Sequence, residues 1–385
     1  MTIAREIAET VAALLDTVDP DGLLEYSVVF TDRSLNHMSA TFQEVMRDIS
    51  ATLKRVYSAQ AVAVVPGGGT YAMEAVARQL AQGHKVLVIR NGWFSFRWSQ
   101  IFEMGSIPSA ELVLKARRTG AAVDAPFAPA PIDEVVATIR AEKPALVFAP
   151  HVETSAGMLL PDDYLRAVAA AVHEVGGLFV LDCIASGTLW VDMQDIGVDV
   201  LISAPQKGWS ASPCAGLVMM NDAARARVEE TTSTSFACDL KKWLQIMQAY
   251  ENGGHAYHAT MPTDGLVTFR RTIAEMQQVG FDTLKAQQSE LGRRIRAVLG
   301  EAGYHSVAAP GFEAPGVVVC YTQDKALHNG SKFREQGLQI AAGVPLQVDE
   351  PAEFQTFRIG LFGLDKLTHI DRTVENFTRA LNALG

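Results

Sequence analysis

Apolar positions in this chain recur in two alternating patterns. Short, β-branched runs, Ala61–Val65, Lys85–Ile89, 144–149, Leu178–Leu181, Val198–Ile202 and Leu217–Met220, are apolar at almost every position. Such runs predict strands buried on both faces. Between them lie stretches with apolar residues at helical spacing. One carries Phe42, Val45, Ile49 and Leu53 after the capping-box spacing Thr41-Phe-Gln-Glu44 and extends to about Ser58; others cover 71–80 and 163–175, the last stopped by Gly176-Gly177. Strand and helix in alternation predict an α/β fold with a mostly parallel sheet flanked by helices. Upstream, Ile3, Ile7, Val11, Leu14 and Leu15 predict a helical arm over 1–20, and Tyr26–Phe30 reads as a short strand.

After Asn221 the pattern changes. A helical segment at 240–250 is followed by an irregular polar loop at 253–262. Helices are predicted over 264–300, with Leu284, Leu291, Ile295 and Leu299 on one face; short strands follow near 316–320 and 357–360, then a closing helix at 370–384. The expected division is an arm (1–20), a large domain (21–264) and a smaller α+β domain (265–385).

Composition narrows the functional classes. The 385 residues are 48% hydrophobic and 20% charged, as in a globular enzyme-sized chain. A formal charge of −10 argues against non-specific nucleic-acid binding. No run approaches the roughly 20 apolar residues of a membrane span, and the amphipathic start with its acidic residues is unlike a signal peptide, so the cytoplasm is the expected location. Four cysteines, Cys183, Cys214, Cys238 and Cys320, form no C-x-x-C pair, and His255 and His258 have no accompanying third ligand. Neither a disulfide framework nor a metal site is expected.

Candidate chemistry gathers at the predicted strand ends. One run delivers Asp182, and the next leads into Ser203-Ala-Pro-Gln-Lys207, followed by a small-residue loop. In an open α/β sheet the carboxyl edge is where ligands bind. A lysine that holds an aldehyde as a Schiff base, beside a carboxylate that keeps a pyridine nitrogen protonated, is what pyridoxal phosphate requires. Individually, an Asp there can cap a turn and a Lys can face water. The strand 61–65 is followed by Pro66-Gly-Gly-Gly-Thr70 and a helix, an arrangement that points backbone N–H groups at a phosphate. It carries neither the P-loop nor the dinucleotide signature, which suits a cofactor with one terminal phosphate. Aromatic residues at Asn91–Trp98 and the polar loop His151–Gly157 belong to the same edge.

Together these motifs resemble the class V branch of fold type I pyridoxal-phosphate enzymes, most closely the alanine-glyoxylate and serine-glyoxylate aminotransferases, over about residues 20–385. The resemblance makes Lys207 the Schiff-base lysine, Gln206 a phosphate or ring-edge contact and Asp182 the pyridine partner. It makes Gly68, Gly69 and Thr70 the phosphate turn. The family's Gly-x-aromatic-Gly-x-Arg motif falls on Gly92, Phe94, Ser95 and Arg97, with Phe94 stacking on the ring. The motif at Glu153, Thr154, Ser155 and Gly157 puts Thr154 near the ring hydroxyl, and its His-x-Glu-Thr form is similar to 2-aminoethylphosphonate-pyruvate aminotransferases. Tyr257 and Thr260 of Tyr-His-x-Thr-x-Pro are implied to close the phosphate site of a second subunit, and Arg358 to grip the substrate carboxylate.

One stretch departs from the family. Phe30-Thr-Asp-Arg-Ser34 stands where a Gly-Pro-Gly-Pro-like loop is usual. Arg33 is a candidate for reading a second polar group on the donor, the alternative being a surface pair with Asp32. The expected activity is transfer of an amino group from a small amino acid to a keto acid such as glyoxylate or pyruvate by a homodimer. Alternatives on the same fold are a lyase, desulfurase or hydrolase, an aminophosphonate-pyruvate aminotransferase, and a non-catalytic scaffold.

Overall fold

The computed structural model describes residues 18–384; the helix expected in the N-terminal arm lies outside them. The six expected strands of the large domain and one further strand, β3, form a seven-stranded sheet: β1 (Ala61–Pro66), β2 (Lys85–Arg90), β3 (Ala110–Lys115), β4 (Leu146–Pro150), β5 (Leu178–Asp182), β6 (Val200–Ser203) and β7 (Ala215–Met220), in spatial order β1-β7-β6-β5-β4-β2-β3. Only β7 is antiparallel to its neighbours. A reversed direction follows from its connection: residues 204–214 contain no crossover helix, and a parallel return needs about a dozen residues or more. Strands β4 to β7 are buried throughout, which accounts for their continuous apolar runs.

Helix α1 (Ala40–Tyr57) precedes β1, α2 (Gly69–Leu80) links β1 to β2, and α3 (Trp93–Gly105) links β2 to β3. The first begins two residues before the expected cap: Ser39 Oγ accepts from Phe42 N–H at 3.0 Å. Edge strand β3 was not expected, because its residues, Glu111 among them, are exposed or half-buried and give no continuous apolar signal. The expected strand at Tyr26–Phe30 does not form. Val28 is fully exposed, and the segment is held by side chains, with Glu25 accepting from Ser27 N–H (2.6 Å) and Asn36 Nδ2 (2.8 Å).

A second, three-stranded antiparallel sheet, β8 (Val317–Tyr321), β9 (Ala341–Ala342) and β10 (Thr356–Gly360), has the order β8-β10-β9. Helices Thr263–Val279, Phe281–Glu301 and Ile370–Asn382 complete the C-terminal part. The first of these lies along α1, with Arg270 paired to Asp48 and Gln277 bonded to Thr52. An apolar cluster joins the two sheets' surroundings: Ala116, Phe127, Ala156 and Met158 pack with Val317, Val319, Leu346 and Val348. Among the described residues no helix is long and apolar enough to cross a membrane.

Candidate active site

Parallel strands β5 and β6 pair Asp182 with Ile202, so Asp182 and the Ser203–Lys207 segment leave the sheet at the same edge. Between this edge and α2 and α3 lies a cleft lined by Gly69, Thr70, Phe94, Arg97, Thr154, Asp182, Gln206 and Lys207, with Met73, Val152, Ile184 and Ala185 supplying its apolar wall. Residues far apart in the chain are thus brought together around one cleft.

Gly68 caps α2 without a side chain, leaving first-turn backbone N–H groups facing the cleft. A Cβ on Gly69 would lie 2.4 Å from Ile184 Cδ1, so this close approach requires glycine. Arg97 Nη1 donates to Thr70 Oγ1 at 3.0 Å. The Phe94 ring is the centre of a cationic cage, with the Arg97 and Arg358 guanidinium carbons 5.1 and 5.6 Å from its centroid and Lys207 Nζ 5.8 Å away.

Glu153, which the sequence places in a motif without a role of its own, holds this arrangement. Its buried carboxylate accepts from the N–H groups of Phe94 (3.2 Å), Ser95 (2.9 Å) and Ser155 (3.1 Å) and from both serine hydroxyls. It thereby caps α3 from another strand end and fixes the backbone that carries Phe94. The local sequence, a polar loop directly after a buried strand, gives no signal for this role; it follows only from the burial of the carboxylate, which would not be tolerated without donors.

Burial lowers the Lys207 pKa, although Asp182 and Glu153 pull the other way. The same burial raises Asp182 to about 6, against one backbone donor, Ile184 N–H at 2.9 Å, and the attraction of Lys207. Beyond Asp182, His151 is buried and lowered to about 3, which keeps the ring neutral; its Nδ1 is 2.7 Å from Ser186 Oγ. The loop after the lysine is tied to the C-terminal part. Ser210, at φ 57°, accepts from Leu364 N–H at 2.8 Å, and the Phe362 ring centroid is 5.9 Å from Lys207 Nζ.

Arg358 reaches the cleft's rim from β10, oriented by a 2.7 Å bond from its Nε to Ala342 O. Three candidate residues do not line this chain's own cleft; for two of them, Tyr257 and Thr260, the resemblance implies the site of a second subunit. Arg33 is exposed and 3.9 Å from Asp32, while Tyr257 and Thr260 share a 3.3 Å hydroxyl contact on an exposed loop, and none of them lines the cleft.

The cleft fits pyridoxal phosphate on its own geometry. Gln206 Oε1 is buried without a hydrogen-bond partner, and among the described residues no carboxylate is within ion-pair distance of Lys207. A buried acceptor without a donor, an unpaired amine and a protonatable carboxylate around one aromatic face are the complement of a polar, planar aldehyde. Fold and cleft together define a pyridoxal-phosphate enzyme of fold type I.

The sequence profile of the aminotransferase class-V family matches residues 21–345, and the chain belongs to that family. It is a pyridoxal-5'-phosphate-dependent aminotransferase. The chain is 26% identical over 360 residues to an alanine–glyoxylate aminotransferase of Rattus norvegicus, spanning 91% of this chain and 82% of that protein. It is 28% identical over 368 residues to 2-aminoethylphosphonate–pyruvate transaminase 2 of Paraburkholderia xenovorans, covering 92% of each. In fold it is similar to an alanine–glyoxylate aminotransferase from Nostoc sp., with a TM-score of 0.76 at 20% identity over 90% of this chain and 88% of that one.

Proposed function

We propose that the enzyme moves the amino group of a small amino acid, or of a short aminophosphonate, to glyoxylate or pyruvate, with Lys207 as the residue that holds the cofactor's aldehyde. The observation carrying this reading is the convergence of Lys207, Asp182, Phe94 and, from the glycine turn, Gly69 and Thr70 on one cleft. When bound, the cofactor supplies the electron sink for the bonds at the donor's α-carbon. Lys207 Nζ carries the α-proton, a role suited to an amine whose pKa burial has lowered. Asp182 holds a charge or a proton against the ring nitrogen, Phe94 orients the ring by stacking, and Arg358 takes the substrate carboxylate as a bidentate pair.

Transamination is favoured over a desulfurase reading by the thiols. A desulfurase needs a mobile thiolate, whereas all four cysteines are buried and burial pushes their pKa values up, Cys214 to about 11 and Cys320 to about 12. Free, buried thiols also suit the cytoplasm, where we place the protein.

We also propose a homodimer with shared sites. Leu23, Leu24, Tyr26 and Val28 form an exposed apolar stretch, and the exposed Tyr257–Thr260 pair does not line its own chain's cleft. Sedimentation should give twice the chain mass, and mixing inactive Lys207→Ala with inactive Tyr257→Ala protein should restore activity in hybrids. A monomer, or no restoration, would remove the shared site.

The defining experiment is an absorbance scan of purified protein with a panel of amino acids and aminophosphonates, first without and then with a keto acid. The visible band should shift with the true donor and return on adding glyoxylate or pyruvate. Product formation with no acceptor would establish a lyase or hydrolase instead.

A further inference from the structure

Two cations line the cleft, Lys207 and Arg97. The reading above commits Lys207 to the aldehyde and Arg358, at the rim, to the substrate carboxylate. Arg97 therefore remains as the one lining cation without an assigned role. Among the described residues it has no carboxylate partner within ion-pair distance, and its hydrogen bond goes to Thr70 Oγ1 in the first turn of α2. Its guanidinium lies 5.1 Å from the Phe94 centroid, at the end of the ring face that adjoins the Gly68–Thr70 turn. A half-buried guanidinium without a counter-ion, bonded only to a neutral hydroxyl, has donor capacity left over.

A phosphate monoester brings nearly two negative charges to this turn. Backbone N–H groups and the helix terminus supply about half a positive charge between them. We infer that Arg97 is the cofactor's phosphate-binding cation, its fork sharing donors between Thr70 Oγ1 and the phosphate oxygens, with Phe94 beneath it keeping the guanidinium plane in place. This assignment rests on the reading of Gly68–Thr70 as the phosphate turn. It also gives each of the site's three cations a separate anionic or electrophilic target, with Lys207 on the aldehyde, Arg97 on the phosphate and Arg358 on the substrate carboxylate.

The test compares pyridoxal 5'-phosphate with pyridoxal, which lacks the phosphate, as ligands of the apoprotein, following quenching of intrinsic tryptophan fluorescence. Wild type should bind the phosphorylated form far more tightly. Arg97→Leu should lose about ten- to a hundredfold in affinity for pyridoxal 5'-phosphate, the scale of a lost charge-assisted pair, and leave pyridoxal affinity unchanged. Arg97→Lys should recover part of the difference, and inorganic phosphate should compete with the cofactor in wild type more strongly than in Arg97→Leu. Equal losses for both ligands would make Arg97 a support for Phe94 and overturn the proposal, as would an unchanged preference in Arg97→Leu and Arg97→Lys alike. If wild type shows no preference, the phosphate turn itself is misassigned.

Discussion

Ser95 donates twice to one oxygen of Glu153, from its backbone N–H at 2.9 Å and from its hydroxyl at 2.8 Å. The residues are 58 positions apart, and the paired hydrogen bonds fasten the start of α3 to the segment that follows β4. Glu153→Gln replaces an acceptor-only group by one that presents two N–H donors to donors. We expect a loss of about 2–3 kcal/mol in stability, visible as a lower denaturation midpoint, together with weaker cofactor retention because Phe94 is released. An unchanged midpoint would mean that the clamp contributes nothing.

Asp182 makes the apoprotein's stability depend on pH in an unusual direction for a carboxylate. Its folded pKa of about 6 lies above the ordinary value of 3.8, so the fold favours the protonated form. That contribution is fully present below about pH 4 and is lost as pH rises through 6, amounting to about 3 kcal/mol at most. Asp182→Asn apoprotein should therefore denature later than wild-type apoprotein at pH 7.5 and bind cofactor more weakly. Urea titrations of both apoproteins at pH 5 and 7.5 measure the difference.

His151 works in the opposite sense. Burial lowers its folded pKa to about 3, beneath the ordinary 6.5, so its contribution is present above pH 6.5 and declines steadily as pH falls toward 3. His151→Gln should flatten the acid limb of the stability profile while leaving the region above pH 7 changed only by the altered packing.

Two glycines should respond differently to a single methyl group. A Cβ at Gly208 would lie 2.0 Å from Gly187 O, a backbone atom with no room to yield, whereas a Cβ at Gly68 meets nothing within 4 Å. Gly208→Ala should cost about 2 kcal/mol or more and displace Lys207; Gly68→Ala should melt like wild type yet hold the cofactor less tightly, by placing a methyl beside the phosphate turn. Thermal melts with and without cofactor separate the two outcomes.

Arg358→Gln should raise KM for both donor and keto acid by about one to two orders of magnitude, with a smaller effect on kcat, since a carboxylate clamp acts mainly in binding. Steady-state kinetics with each substrate varied in turn provides the comparison, and a loss confined to kcat would move Arg358 out of the binding role.

Much of this arrangement was legible in the amino-acid sequence because buried parallel strands are continuous apolar runs. Asp182 and Lys207 stood out as polar residues ending two such runs, and the glycine turn at 67–69 followed a third. What failed was local. Tyr26–Phe30 has a strand's composition but finds no neighbour to pair with, and β3 pairs with β2 while its exposed side chains carry no apolar signature. The reversed direction of β7 depends on its short connection, and α1 is capped by Ser39 two residues before the expected Thr41. Glu153 was visible as a residue but not as a clamp, because its partners become neighbours only after β2 and β4 are paired.

The apolar cluster of Ala116, Phe127, Ala156 and Met158 with Val317, Val319, Leu346 and Val348 bears on how this enzyme can diversify. Neither half owns that core, so a C-terminal part taken from a relative would have to bring side chains that fill the places of Val317, Val319, Leu346 and Val348. Substitutions around the cleft leave these contacts untouched, which separates a change of donor preference from the packing that joins the two parts.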